Sequence, residues 1–183
     1  LDTMPPVAPV TIVRLLVSGN YQAVRAVEEN SVEIAALAEC VAQSIKNGGR
    51  FIYVGAGTSG RLGMLDAVEC IPTFGIPEGM VIALMAGGPS AFVHAVEGAE
   101  DDIQAAYEQM SALKLTANDI VCGITASGST PFVLEALETA HGKHAETVLV
   151  KNATAPETSD WRFLSSCTII FLDTGPEVIS GST

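Results

Sequence analysis

From residue 51 onward, short runs of consecutive apolar residues alternate with longer stretches of helical periodicity, and few folds accommodate that pattern. Phe51-Ile52-Tyr53-Val54, Met80 to Met85, Ile120 to Ile124, Thr147 to Val150 and Thr168 to Leu172 read as strands. Between them, Leu62 to Cys70, Ile103 to Leu113 and Pro131 to Ala140 read as helices. A strand that is apolar on both sides must be covered on both sides, and strands separated by helices pair in parallel. The pattern predicts a doubly wound α/β fold, a five-stranded parallel sheet sandwiched by helices.

The first 46 residues form a helical lead-in to this unit, which runs from 47 to 183. Leu1 to Pro9 is proline-rich and irregular, and Val10 to Val17 begins a short helix that ends near Ser18-Gly19-Asn20. From Tyr21 to Lys46 apolar residues recur at helical spacing, and Asn47-Gly48-Gly49 supplies a stop. No covering helix follows the fifth strand. An apolar sheet face left bare in this way calls either for a partner that covers it or, the favoured expectation, for a piece of a longer chain, C-terminally truncated with its last helices missing.

Composition narrows the function. Hydrophobic residues make up 48% and charged residues 16%, a globular balance. A formal net charge of −12 argues against nucleic acid as a partner, because binding it requires a basic face. It also means that an anionic ligand must be held by local donors. No 18-residue apolar run is present, so no membrane partner is expected, and the start has no basic segment of the signal-peptide kind. The four cysteines are widely spaced without a CxxC pair, which fits reduced thiols in the cytoplasm and no metal site. Cys40 and Cys122 lie in apolar segments and are expected to be buried. His94, His141 and His144 are expected at the surface or in packing, without a role.

Two strand-to-helix loops carry the chemistry. The first, Gly55-Ala56-Gly57-Thr58-Ser59-Gly60-Arg61, matches G-x-G-x-x-G. A dinucleotide site would need an acidic residue at the end of the second strand to grip the ribose, but that strand ends Leu84-Met85-Ala86-Gly87-Gly88. What remains is Gly57 with the hydroxyls of Thr58 and Ser59 at a helix N-terminus. There, free N–H groups and the helix dipole suit a phosphate, and helix capping by the two hydroxyls is the equal alternative. The second loop, Thr125-Ala126-Ser127-Gly128-Ser129-Thr130-Pro131, repeats the composition in the same position. Both loops open at the carboxyl edge of the sheet, where ligands bind in such folds. Together they resemble the sugar isomerase (SIS) domain, which grips phosphosugars with such loops.

Two carboxylates lie near these loops. Glu69 sits among apolar neighbours in Leu65-Asp66-Ala67-Val68-Glu69-Cys70-Ile71-Pro72, near a helix end where the dipole does not favour an anion. Glu100 lies in Glu97-Gly98-Ala99-Glu100-Asp101-Asp102, a cluster that by composition alone reads as solvated charge ahead of a helix. The run from Gly55 to Gly63, then Leu65-Asp66-Ala67, Glu69-Cys70, Pro72 to Gly75, Ala86-Gly87-Gly88 and Glu97 to Asp101, is similar to the signature of the N-acetylmuramic acid 6-phosphate etherases. The resemblance continues through Gly123 to Pro131, at Gly175-Pro176-Glu177-Val178, and at Gly181-Ser182-Thr183. It implies a homodimeric enzyme without metal or redox cofactor that removes D-lactate from N-acetylmuramic acid 6-phosphate in the recycling of cell-wall sugars.

The resemblance further implies that Glu69 and Glu100 are catalytic, and that Gly57, Thr58, Ser59, Ser127, Gly128, Ser129 and Thr130 hold the phosphosugar. By analogy Glu69 is the acid for departing lactate and Glu100 the base at C2; the reverse assignment is the alternative. The chain departs from the family pattern at Ser129, where an arginine is usual, and at Val68, Ile71 and Lys151. The family also continues past its Gly-Ser-Thr with further helices. Two rival readings share the fold: a non-catalytic sugar-phosphate-binding regulator and a sugar-phosphate isomerase.

Overall fold

The computed structural model describes residues 7–152 and 161–178. Leu1 to Pro6 of the lead-in and Gly181-Ser182-Thr183 lie outside the described residues. The elements run α1 (Pro9–Glu29), α2 (Ser31–Lys46), β1 (Phe51–Gly55), α3 (Gly57–Phe74), β2 (Val81–Met85), α4 (Ile103–Ala112), β3 (Ile120–Thr125), α5 (Pro131–Gly142), β4 (Glu146–Lys151) and β5 (Thr168–Phe171). The five strands form one parallel sheet in the order β2-β1-β3-β4-β5. This is the expected doubly wound arrangement.

Each face of the sheet has its own apolar layer. On one side Ile52, Val54, Val121 and Leu149 pack with Ala106 and Met110 of α4 and with Phe132, Val133 and Leu137 of α5. On the other, Phe51, Ile120, Cys122, Val148 and Ile170 meet Ile34, Leu37 and Val41 of α2. The α3 backbone reaches this second face at Gly63, where an added Cβ would stand 2.9 Å from Tyr53 Cβ.

Three local expectations are corrected. The N-terminal helix does not stop at Ser18-Gly19-Asn20 but continues to Glu29. A single glycine inside a helix costs only about 1 kcal/mol, and here its bare face accommodates Val178 of the C-terminal segment. The break falls at Asn30, whose side-chain amide donates to the Ala26 carbonyl at 2.9 Å. Helix α3 begins five residues earlier than Leu62 and runs through Pro72 to a left-handed Gly75, the usual helix-ending geometry. Cys40 is exposed rather than buried, because α2 turns Ile34, Leu37 and Val41 toward the sheet instead; Cys122 is buried as expected.

At the opposite edge of the sheet from the loops, one ion pair fastens β1 to β3. The Asp119 carboxylate, 2% exposed, accepts from the Arg50 guanidinium at 2.8 and 2.9 Å, from the Arg50 backbone N–H at 2.9 Å and from the Thr116 N–H at 2.8 Å. Burial pushes this carboxyl upward, but the bonds from Arg50 and Thr116 outweigh it and hold it below its ordinary value.

Candidate functional site: two hydroxyl turns at the carboxyl edge

The strand order reverses between β1 and β3, and such a switch point opens a crevice beyond the carboxyl ends of the two strands. In register, Gly55 stands opposite Ile124. Both loops therefore leave the sheet at one level from neighbouring strands, about 4.8 Å apart.

The first turn is shaped by a backbone contact. A Cβ on Gly60 would lie 2.7 Å from the Gly55 carbonyl oxygen, and a Cβ on Gly55 would lie 2.6 Å from the Gly60 nitrogen. Only a pair of glycines lets α3 start this close to the end of its strand. The helix begins at Gly57, with Ala56 at the N-cap and no side-chain cap. Thr58 and Ser59 are thus not the cap residues that the bland reading supposed. They lie in the first helical turn, where backbone N–H groups have no intrahelical partner.

The second turn is a hydroxyl cluster with a centre that sequence reasoning did not single out. Thr125, the last residue of β3 and 3% exposed, places its Oγ1 2.6 Å from Thr130 Oγ1 and 3.2 Å from Ser127 Oγ, and accepts from the Gly128 N–H at 3.3 Å. Ser127 Oγ in turn accepts from the Ser129 N–H at 3.1 Å and from Ser129 Oγ at 3.2 Å. The signal was available: a hydroxyl closing an otherwise apolar strand has to find partners. Pro131 occupies the first turn of α5 as expected. The Asn152 N–H ties the end of β4 to this loop through the Ala126 carbonyl at 3.2 Å. Lys151 lies 5.9 Å from the centre of the Phe171 ring.

The two glutamates are placed differently. Glu100 lies in a 3-10 turn, Ala99–Asp101, that packs against α5, the helix leading out of the second loop. Asp102, not Glu100, caps α4, accepting from the Ala105 N–H at 2.9 Å. Glu69 lies near the far end of α3. The eleven residues from Thr58 correspond to roughly 16 Å along the helix axis, more than a single hexose phosphate spans. One chain therefore does not bring Glu69 to its own first turn. Nor do its apolar neighbours bury it: Glu69 is exposed, and so are Leu62, Leu65, Val68, Ile71 and, at 75%, Phe74. One turn before Glu69, Asp66 accepts from the Tyr53 hydroxyl at 2.9 Å, and burial together with this bond pushes the Tyr53 phenol upward.

His94, His141 and His144 are all exposed. No group of His, Cys, Asp and Glu among the described residues is arranged to hold a metal ion, and no described helix is long and apolar enough to cross a membrane.

A parallel α/β sheet with two hydroxyl-rich helix N-termini at its switch point places the chain in the class of doubly wound α/β domains. Residues 33–141 match the glucokinase regulatory protein N-terminal SIS domain, and the chain belongs to that family. It is 44% identical over 171 residues to an N-acetylmuramic acid 6-phosphate etherase of Francisella philomiragia, covering 93% of this chain and 57% of the relative. It is 48% identical over 151 residues to an etherase of the same name from Yersinia pestis, covering 82% and 50%. The chain thus spans little more than half the length of these relatives. A phosphoheptose isomerase of Neisseria gonorrhoeae shares the fold, with a TM-score of 0.65 at 18% identity over 92% of this chain and 85% of that one.

Proposed function

We propose that the protein cleaves the D-lactyl ether of N-acetylmuramic acid 6-phosphate, releasing D-lactate and leaving N-acetylglucosamine 6-phosphate. The observation that carries this reading is the pairing of two hydroxyl turns at the sheet's switch point with glutamates at both motif positions. A regulator that only binds a sugar phosphate has no use for those carboxylates.

The phosphate lies between the α3 N-terminus, with Gly57, Thr58 and Ser59, and the cluster of Ser127, Gly128, Ser129 and Thr130. These donors are neutral, which suits a chain whose overall field repels anions. With the sugar ring open, C1 is an aldehyde. Glu100 removes the C2 proton, and the resulting enolate expels the ether oxygen from C3 as Glu69 protonates it. Water then adds at C3 and a proton returns to C2. Each positioned proton transfer contributes on the order of 10²–10⁴-fold. No metal or redox group takes part in these steps.

The active form is a homodimer in a cytoplasmic, cell-wall-sugar recycling role, and its site is shared. Glu69 lies too far along α3 to serve its own phosphate turn, and it sits on a helix face whose leucines, valine and phenylalanine are open to water. A second copy laid against that face buries it and offers Glu69 to the partner's sugar.

Incubation of the intact protein with N-acetylmuramic acid 6-phosphate, with D-lactate measured enzymatically, separates the readings. Lactate release supports the etherase. Tight binding without lactate leaves the regulator, and interconversion of an aldose and a ketose phosphate leaves the isomerase.

A further inference from the structure

We propose that Arg61 is a positioning residue that locks the loop carrying Glu100 onto the helix that holds the phosphate. Arg61 follows the first glycine turn directly, and in so acidic a chain it is the obvious cation for a phosphate. Its guanidinium is engaged elsewhere. Nη2 donates to the Ala91 carbonyl at 2.9 Å and to the His94 carbonyl at 3.5 Å, while Nε donates to the Phe92 carbonyl at 3.1 Å. These carbonyls belong to the end of the 3-10 turn Pro89–Phe92 and to the second residue beyond it, where orphan acceptors attract a cation.

The loop that Arg61 clasps runs from Gly87 to Asp102 without a strand or an α-helix. Four further contacts hold it. Ala91 is buried beneath the clasp, and Val96 folds back over the bare backbone of Gly87, where a Cβ would meet it at 3.1 Å. At the far end Ala99 packs into the main apolar layer and Asp102 caps α4. Among the described residues, the hydrogen bonds between α3 and this loop all come from Arg61. Arg61 therefore sets where Glu100 stands relative to the phosphate turn, and it does so without touching the sugar. The inference rests on Glu100 as the base at C2. A misplacement of about 1 Å is enough to cost ~100-fold in rate.

The test compares Arg61→Ala and Arg61→Lys in the intact protein by steady-state lactate release and by hydrogen exchange of the Gly87–Gly98 segment. In Arg61→Ala, kcat is expected to fall ~100-fold with KM changed less than ~3-fold, and exchange in the segment to accelerate. Arg61→Lys, whose ammonium reaches fewer carbonyls, is expected to recover part of both effects, and it serves as the primary variant should the alanine protein fail to fold. A raised KM with unchanged kcat would make Arg61 a phosphate ligand and overturn the proposal, as would unaltered exchange in both variants. Glu100→Gln is run alongside. If that variant turns over normally, Glu100 is not the base at C2 and the premise of the proposal fails, while the exchange data still decide whether the clasp exists.

Discussion

Replacing Thr125 by valine isolates what the buried hydroxyl does, because valine keeps the shape and the β-branching that suit the end of a strand. Three hydrogen bonds are lost, to Thr130, Ser127 and the Gly128 N–H. Each is worth about 1 kcal/mol net, and leaving the buried Gly128 N–H unpaired adds to the cost. The sum is a destabilisation of about 3 kcal/mol. With a urea m-value of about 2 kcal/mol/M, the unfolding midpoint falls by ~1.5 M at unchanged slope. The hydroxyl turn loses its fixed form at the same time, so affinity for a hexosamine 6-phosphate, measured by calorimetric titration, is expected to weaken by roughly tenfold, or about 1.4 kcal/mol. Thr125→Ser retains the hydroxyl and loses only a methyl, worth about 0.8 kcal/mol, so it keeps its affinity. A Thr125→Val protein within about 0.5 kcal/mol of wild type and with unaltered affinity would refute the view that this residue organises the turn.

Three other perturbations follow from the same geometry. Gly60→Ala forces a methyl against the Gly55 carbonyl at 2.7 Å and is expected to cost about 1–3 kcal/mol in urea unfolding, with weaker phosphosugar binding as α3 is pushed off its strand. Asp119→Asn is expected to cost about 3 kcal/mol in the same assay, the low end for a broken buried pair because Arg50 remains 28% exposed. Since the Asp119 carboxyl lies below its ordinary value of 3.8 when folded, its contribution is complete above that pH and is lost as pH falls through the lowered value. Acid unfolding should accordingly be shallower in the asparagine variant. If the dimer shares its sites, mixing inactive Glu69→Gln and Glu100→Gln proteins under conditions that exchange subunits restores about one quarter of the wild-type lactate release; no recovery would place both glutamates in one chain's site.

The sheet was legible in the sequence because parallel strands buried on both faces read as short unbroken apolar runs, and all five were found within about two residues of their ends. Helix limits were harder. Gly19 and Pro72 look like stops, yet one is tolerated inside a helix for about 1 kcal/mol and the other sits in the final turn of α3. The hydroxyl turns could be read from composition and position, whereas the role of Thr125 depends on which side chains a folded turn brings together. Arg61 was hidden for the same reason, since its acceptors are carbonyls thirty residues away and carry no sequence signature. The exposure of Glu69 was not legible, because apolar neighbours in sequence suggest burial, while on α3 they form an outer face that only another molecule can cover.

Turnover in D2O tests the elimination most directly. If Glu100 draws a proton from C2 and water adds to the unsaturated aldehyde, the N-acetylglucosamine 6-phosphate formed carries deuterium at C2, seen by proton NMR as loss of that signal. Product that retains its original C2 hydrogen while lactate is released would mean that the ether is broken without a C2 carbanion, and would contradict the role given to Glu100 and the elimination itself.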